Sequence, residues 1–259
     1  MLRTQRRYTE RLIRRLQQFA PLGAEEKAAV VAAMNGVRRF DYREDVIRQG
    51  NRTEGVFIIL DGFACRYKML PDGRRHIVGY LVPGDLCDLR VFLLKHMDHS
   101  ISALSPLETT MLPPANVMTL LDGFPRLARA LWWTTLVEEC ITREWIVNVG
   151  HRSALERIAH LFCEVFCRLE AVGLTRGSEC HLPLTQIELA DTVALSAVHV
   201  NRTLMYMRRK NLAKFGDETL TILDRDALQA AAGFDPRYLH LEGGNTASGG
   251  SSRRRRAPA

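Results

Sequence analysis

The chain has 259 residues, and 46% of them are hydrophobic, which is enough for two modest globular domains with buried cores. No apolar run reaches the ~20 residues of a membrane span, and the N-terminal segment lacks the hydrophobic stretch of a signal peptide. We therefore expect a cytoplasmic protein with no membrane partner, whose six cysteines are mostly reduced.

The formal net charge of +7 is concentrated at the two ends of the chain. The first eighteen residues carry six arginines against one glutamate, and four consecutive arginines occupy positions 253–256. Residues 151–240 contain 11 basic and 11 acidic side chains, so this region is neutral overall. Any nucleic-acid surface there must depend on local clustering of charge.

The N-terminal half is predicted to begin with helices and continue with short strands. Residues 8–19 form an amphipathic pattern, with Leu12, Leu16 and Phe19 on one side, and residues 24–34 predict a second short helix. Pro71-Asp72-Gly73 predicts a hairpin turn. Many short strands with closely spaced turns indicate a sandwich or roll. The predicted β runs are 46–47, 56–60, 64–70, 76–81 and 100–104.

Residues 115–121 predict a short helix, and residues 124–149 predict a long one. The long helix is apolar on two sides, so we expect one side to pack on the strands and the other to contact a second subunit. Complete burial within one domain is the alternative. Gly150 is the predicted hinge. The residues assigned to the dimer interface are Leu127, Leu131, Thr134, Ile141 and Trp145, and the second apolar side has Trp133, Val137 and Cys140.

Residues 182–212 predict two short helices joined by a tight turn. Thr185 and Glu188 form a capping box for the first helix, and Ser196 is the N-cap of the second, residues 197–209. This layout is typical of a helix-turn-helix, whose second helix enters the DNA major groove. An ordinary helical hairpin with a solvated face is the alternative. The predicted core side has Val200, Leu204 and Met207, and the outward side has His199, Arg202, Thr203 and Tyr206, with Asn201 near its edge.

Two segments follow the helix pair. Residues 213–222 contain a glycine-centred turn between short β runs, which predicts the wing of a winged helix. Residues 242–259 are rich in glycine, serine and arginine and have few apolar side chains, so we expect a disordered basic tail. Its arginines either add weak, non-specific affinity for DNA or are simply solvated.

The run from Thr185 through Ser196 and Arg202 to Leu212 resembles the DNA-binding element of the CRP/FNR superfamily of bacterial transcription regulators. The upstream stretch 151–161 resembles the helix that precedes that element, and the likeness extends over about residues 8–241. The resemblance implies an α+β fold. Its parts are a double-stranded, cyclic-nucleotide-binding-like β-roll with N-terminal helices in 1–123, a dimerisation helix and hinge in 124–150, a winged helix-turn-helix in 151–241 and the tail in 242–259.

The resemblance also implies a homodimer that binds a palindromic operator in double-stranded DNA and works with RNA polymerase. Arg202 matches the family arginine that can reach guanine O6 and N7. Val198 stands where relatives carry a glutamate, and it can contact a thymine methyl group. Thr185 and Gln186 would hold the DNA backbone. The full set of implied DNA contacts is Thr185, Gln186, Ser196, Val198, His199, Asn201 and Arg202.

Relatives that bind a cyclic nucleotide carry a Gly-Glu-Leu motif followed by Arg-Ser, in which the glutamate holds the ribose and the arginine neutralises the phosphate. In the matching stretch Asp88-Leu89 replaces the Gly-Glu pair, and His99 replaces the arginine. We therefore expect no dependence on cyclic AMP, and the effector pocket stays unassigned. A surface loop is the simplest interpretation of this stretch, with another anion at His99 or Arg90 as the alternative.

No cofactor or metal ligand set is predicted. No cysteine precedes Cys65, which disfavours the N-terminal iron–sulfur cluster of oxygen-sensing relatives. A metal or redox site at His160, Cys163 and Cys167, with Cys180-His181 nearby, is an open alternative, as is haem.

No enzyme motif is visible, since the chain lacks a nucleotide-binding glycine loop and a nucleophile elbow. Two further functional hypotheses stay open. One is a redox- or haem-based sensor regulator. The other is a ligand-binding regulatory module that acts on a protein partner, whose second helix would not need Arg202.

Overall fold

The computed structural model describes residues 2–89, 94 and 96–241, with side chains from Thr9 onward. The basic tail 242–259 and Arg90 lie outside the described residues. The predicted α+β fold, with a β-roll, a long helix and a C-terminal winged helix-turn-helix, is confirmed. In the described part of the chain, no helix is long and apolar enough to span a bilayer.

The N-terminal domain is a β-roll of two four-stranded antiparallel sheets, preceded by helices α1 (Leu2–Gln17) and α2 (Ala24–Ala32). The strands of one sheet follow the order β1-β8-β3-β6, and those of the other follow β2-β7-β4-β5. In chain order the strands are β1 (Asn35–Phe40), β2 (Asp45–Ile47), β3 (Val56–Asp61), β4 (Ala64–Met69), β5 (Arg75–Leu81), β6 (Leu86–Cys87), β7 (Ser100–Ala103) and β8 (Leu107–Leu112).

Strand β3 is buried on both faces, which explains its uninterrupted apolar run. Phe57 and Ile59 face the inside of the roll, whereas Val56 and Ile58 pack in a second core with Leu12 and Leu16 of α1. The predicted turn after β4 is present, because Leu70 N–H donates to the Arg74 carbonyl at 2.8 Å and Gly73 adopts φ 84°. A left-handed residue at this position favours glycine.

Strands β1, β6 and β8 were missed by the sequence prediction. Strand β1 is mostly exposed and contains two arginines, and β6 has only two residues. Strand β8 contains three polar residues, and Thr109 and Thr110 are nevertheless buried. Pairing with β3 and β1 places these threonines in the sheet, and that pairing is not visible in a local pattern.

Helix α3 (Pro114–Gly123) leads into the long helix α4 (Pro125–His151). The dimer interface predicted from periodicity is wrong, because all five assigned residues are buried within the monomer. The roll, α1 and the helix after α4 cover this side of α4, so it is not available to a partner. The residues concerned are Leu127, Leu131, Thr134, Ile141 and Trp145, none of them more than 8% exposed.

A second side of α4, about 100° around the helix from the buried one, is exposed and carries large apolar side chains. Trp132 is 70% exposed, Leu136 53%, Ile146 65% and Val147 44%. Such exposure on one face of a long helix marks an interaction surface. We call these four residues, with Glu139 and Arg143 between them, the outer stripe of α4.

The break predicted at Gly150 lies two residues later in the structure. Helix α4 continues through Gly150 and ends at His151, and Arg152 adopts an extended conformation with ψ 147°. The next helix, α5 (Ala154–Ala171), begins behind the N-cap Ser153, whose hydroxyl accepts from Glu156 N–H at 3.4 Å. The break between the helices therefore follows from a cap rather than from glycine flexibility.

The C-terminal domain packs around α5. The strand order of its small sheet is β11-β12-β10-β9, and the wing turn is formed by Asp217 and Glu218, both with positive φ, as a type I′ hairpin requires. The sequence prediction found β11 and β12 but not β9 and β10. The elements are β9 (Thr175–Arg176), β10 (Glu179–His181), α6 (Gln186–Val193), α7 (Ala197–Arg209), β11 (Ala213–Gly216), β12 (Thr219–Ile222), α8 (Arg225–Ala232) and a 3₁₀ helix (Pro236–Leu239).

A buried ionic network joins the two domains. The Arg168 guanidinium of α5 donates to Asp85 Oδ2 at 2.6 Å and to the Tyr80 carbonyl at 2.9 Å, both in the roll. Arg15 of α1 lies 3.5 Å from the other Asp85 oxygen. Burial alone would raise the pKa of Asp85, but Arg168 and Arg15 hold that pKa below its usual value. The carboxylate is therefore charged and doubly paired.

We expect Arg168→Met to lower the free energy of unfolding by about 3–5 kcal/mol, because it leaves the buried Asp85 carboxylate with only the Val82 N–H at 2.9 Å and Arg15 at 3.5 Å as partners. Urea denaturation measures the loss. The difference from wild type should be constant above the unfolded pKa of Asp85 and should shrink as the pH falls through its lower folded value. Arg225→Met is the matched control, since Arg225 and Glu170 form a half-exposed pair that should contribute less than about 1 kcal/mol. Equal losses in the two variants would contradict this assignment.

Candidate nucleic-acid interface

Helices α6 and α7 begin at the two predicted N-caps. Thr185 Oγ1 accepts from Glu188 N–H at 3.1 Å, and Glu188 Oε2 accepts from Thr185 N–H at 2.7 Å. Ser196 Oγ accepts from His199 N–H at 3.2 Å. The predicted capping box and the predicted start of α7 are therefore both present. Each cap satisfies backbone donors that a helix N-terminus leaves unpaired.

The turn between the helices depends on Ala194, which adopts φ 53° and ψ 48°. A left-handed conformation is unfavourable for alanine, so tertiary contacts must stabilise it. Arg157 of α5 supplies one of them, because its Nη1 donates to the Val193 carbonyl at 2.9 Å. Sequence reasoning located the turn but missed the role of Arg157, which lies 36 residues away.

Helix α7 is anchored by one apolar side. Val200 and Met207 are essentially fully buried, and Leu204 is half-buried, as predicted. Thr203 was predicted on the outward side but is buried, and its hydroxyl donates to the His199 carbonyl at 2.9 Å. This local bond lets a threonine face the core without an unpaired hydroxyl.

The structure places the predicted DNA-contacting side chains on one surface, which we call the recognition face. Val198 is 81% exposed. Asn201 Nδ2 donates to Gln186 Oε1 at 3.2 Å, which links the two helices across this surface. At the C-terminal end of α7, the Lys210 ammonium lies 5.9 Å from the Tyr206 ring centre. The recognition face consists of Thr185, Gln186, Ser196, Val198, Asn201 and Arg202, which are exposed, and His199, which is half-buried.

The roll holds helix α6 from the side opposite to the recognition face. Arg75 of β5 pairs with Asp191 at 2.9 Å, and the Tyr80 and Thr192 hydroxyls share a hydrogen bond of 2.5 Å. Tyr42 donates to Glu188 at 3.1 Å. Helix α6 therefore packs against the roll on one side and against its own domain on the other, whereas α7 has a face exposed to solvent. Sequence reasoning missed this contact, since no local pattern relates β5 to α6.

A cavity of about 390 Å³ lies between β4, β5 and α4, and Glu139 and Arg143 of the outer stripe are among the residues that line it. We call it the effector cavity. Arg66 reaches into its wall and pairs with Glu138 of α4 at 2.8 Å, and its Nη2 also donates to the Leu86 carbonyl at 3.2 Å. Asp98 and His99 line the cavity as well. The sequence prediction left the effector pocket unassigned.

The stretch that matches the nucleotide-binding motif is largely buried. Leu89 is 7% exposed and packs in the core beneath α1, so it does not reach the cavity. The His99 ring is buried, and its Nδ1 lies 2.9 Å from Asp98 Oδ1. The prediction of a simple surface loop is therefore wrong at Asp88, Leu89 and His99, each of which is less than 9% exposed.

The alternative site at His160, Cys163 and Cys167 does not form. These side chains are not among the described residues whose ligand atoms converge on one point. Burial, with a smaller effect of Arg152, lowers the pKa of His160 to about 3, and its ring stacks on Tyr238. Burial also raises the pKa of the Cys163 thiol to about 12, so it is unreactive.

Two family models match the chain over the regions just described. The Crp-like helix-turn-helix domain matches residues 156–231, and the cyclic nucleotide-binding domain matches residues 37–123. The chain belongs to the CRP/FNR superfamily of transcription regulators. Regulators of this superfamily bind DNA through the helix-turn-helix, which α6 and α7 form here.

Named relatives agree with this placement. The nitrogen fixation regulation protein FixK of Bradyrhizobium diazoefficiens is 27% identical over 194 residues, which cover 74% of this chain and 80% of the relative. The transcriptional activator protein FnrL of Cereibacter sphaeroides is 26% identical over 214 residues, covering 81% and 86%. The solved structure of FixK2 from Bradyrhizobium japonicum shares the fold, with a TM-score of 0.69 at 21% identity over 76% of this chain and 96% of that one.

Proposed function

We propose that this regulator is a homodimer that reads a palindromic operator through the recognition face and does so without cyclic AMP. The observation that carries this proposal is the exposure of Arg202 on helix α7, which packs on α5, α6 and β11 and is thereby held in place. A rigid support matters, because base readout requires a side chain placed to within a fraction of an ångström.

Specificity is assigned to Arg202, whose planar guanidinium can donate two hydrogen bonds to guanine O6 and N7. Val198, the neighbouring position on the exposed side, offers a methyl surface suited to the thymine methyl group. Gln186 and Asn201 share a hydrogen bond, so we assign them together to the DNA backbone or to a single base edge. Phosphate contacts would come from the exposed Arg208, Arg209 and Lys210.

The outer stripe of α4 supports the homodimer. Residues 132, 136, 139, 143 and 146 recur at alternating steps of four and three, which is the heptad spacing of a coiled coil. A Trp that is 70% exposed is unfavourable unless a partner covers it. A second copy of the chain can cover the outer stripe with its own outer stripe, because both subunits contribute the same surface to a two-fold symmetric interface. Two recognition helices would then read half-sites about 34 Å apart.

Independence from cyclic AMP is supported by the buried motif. His99 offers no guanidinium for a phosphate, and Leu89 cannot accept from a ribose hydroxyl. Arg66 is the cavity arginine of β4, and its charge is already paired with Glu138.

We extend the proposal to a contact with RNA polymerase, because three relatives carry the word activator or activatory in their names. The alternative of a module that acts only on a protein partner is disfavoured. It does not explain an arginine exposed on α7 beside a linked amide pair. Transcription from the selected operator with purified polymerase, with and without the protein, tests this part.

Arg202→Ala should lose about 1–3 kcal/mol of binding free energy and relax the preference at one base pair of each half-site. Binding-site selection followed by fluorescence anisotropy measures both. The matched control is Arg237→Ala, which removes an exposed arginine from the 3₁₀ helix, away from α7, and should leave the motif unchanged. If Arg202→Ala selects the wild-type motif, the assignment of the reading side chain is wrong. If wild type selects no palindrome, the proposal fails.

Trp132→Glu combined with Ile146→Glu should convert the dimer to monomers, because it places two charges per chain in the seam. Sedimentation velocity measures the mass, and circular dichroism checks that the fold persists. Val31→Glu with Met118→Glu is the matched control, since both side chains are 44% exposed on other helices. This control should remain dimeric. A dimer that survives the first pair of substitutions places the interface elsewhere.

Calorimetric titration with cyclic AMP should give no dissociation constant at or below about 1 μM, which corresponds to roughly −8 kcal/mol. The physical reason is that His99 offers no guanidinium to the cyclic phosphate and Leu89 offers no carboxylate to the ribose hydroxyl. Tight binding in this experiment, or a clear rise in the unfolding temperature on adding the nucleotide, contradicts the prediction.

A further inference from the structure

A histidine and two aspartates meet where the roll faces the effector cavity. Asp88, Asp98 and His99 each offer a ligand atom, and these atoms lie within 4.8 Å of one another. Asp88 and His99 are both buried, and Asp98 is exposed at the rim. Sequence reasoning missed this group, because Asp88 follows β6 whereas Asp98 and His99 precede β7.

The two nitrogens of His99 have different environments. Nδ1 lies 2.9 Å from Asp98 Oδ1, which defines it as the protonated donor. Nε2 is buried and has no hydrogen-bond partner among the described residues, although the side chain is only 8% exposed. The lone pair of Nε2 therefore has no hydrogen-bond donor among the described residues. A buried polar atom without a partner needs a physical explanation, and a bound ion is one.

The nearest carboxylate on the Nε2 side belongs to Asp88, whose Oδ2 lies 3.9 Å from Nε2. A transition-metal ion stands about 2.0–2.1 Å from nitrogen and about 2.0–2.2 Å from a carboxylate oxygen. Two such bonds span about 3.4 Å at a tetrahedral angle and at most just over 4 Å in a straight line, so one ion can bridge these atoms at a widened angle or after a shift of about 0.5 Å. The Asp98–His99 hydrogen bond reproduces the carboxylate–histidine arrangement that orients a metal-binding imidazole.

We propose that Asp88 and His99 bind a divalent transition-metal ion such as Zn²⁺, with Asp98 orienting the imidazole or entering as a third ligand. Imidazole and carboxylate ligands together suit this class of ion. The effector cavity, which Asp98 and His99 line, gives the ion a route and leaves space for water as further ligands.

The surrounding charges are compatible with a cation. Among the described residues, Arg66 acts on His99 and Lys68 acts on Asp98, and Arg143 and Arg168 line the same cavity. The charge of Arg66 is paired with Glu138 at 2.8 Å. The two aspartates supply carboxylate oxygens on either side of His99, which suit a cation. An anion would instead meet two carboxylates, which disfavours an anion site at His99.

The experiment uses the full-length, untagged protein, freed of metal by chelation and titrated with Zn²⁺ by calorimetry. Co²⁺ serves as a spectroscopic probe, because its visible absorption reports nitrogen and oxygen ligation. We expect one ion per chain. Asp88→Asn and His99→Gln should each weaken binding at least tenfold, and Asp98→Asn should weaken it by about 10–100-fold as an orienting residue.

Asp88→Asn is the decisive variant, since Asp88 adopts φ 53° and asparagine tolerates this left-handed conformation. His181→Gln is the matched control, because it removes an exposed imidazole from β10 and should bind the ion as wild type does. Unfolding curves confirm that each variant folds. Binding unchanged in both Asp88→Asn and His99→Gln, or no binding by wild type, overturns the proposal. The binding-site selection that tests the proposed DNA-binding function does not depend on whether the metal ion binds.

Discussion

The buried Arg168–Asp85 pair is the constraint on which the arrangement of the two domains depends. Burying a guanidinium and a carboxylate is unfavourable unless each finds its partner at close range. Arg168 meets this condition only when α5 lies against the roll, where Asp85 and the Tyr80 carbonyl both accept from it. Glu164, one helical turn earlier on α5, accepts from Trp145 of α4 and from Tyr238. One helix of the DNA-binding domain is thus tied to the roll and to the long helix.

The orientation of the recognition face follows from this tie. With α5 fixed, α6 lies against β5, where Arg75 and Tyr80 hold Asp191 and Thr192. Helix α7 then presents its exposed side outward. Arg168 also lines the effector cavity, so a ligand in that cavity would touch the same guanidinium that sets the domain arrangement. Arg168 therefore contacts the cavity on one side and fixes the packing of α5 on the other.

Sequence reasoning succeeded where the determining chemistry is local. Thr185, Glu188 and Ser196 define helix starts by bonds that span three residues, and Val200 and Met207 define a core side by helical period. It failed on α4, where the period shows two apolar sides but not which of them the rest of the chain covers. Leu131 and Trp132 are adjacent and both apolar, yet one is 2% and the other 70% exposed. The same limit hid the Asp88–His99 contact and the β5–α6 contact, each of which depends on tertiary pairing.

Helix α4 connects these observations, because its two sides serve different neighbours. The inner side contributes Glu138 to the effector cavity and Trp145 to the network around Glu164. The outer stripe, offset by about a third of a turn, is proposed to contact the second subunit. A small rotation of α4 about its axis would change both sides together, since a helix moves as a rigid element. In the proposed dimer, a rotation of α4 that moved the Arg66–Glu138 pair would therefore also move the outer stripe.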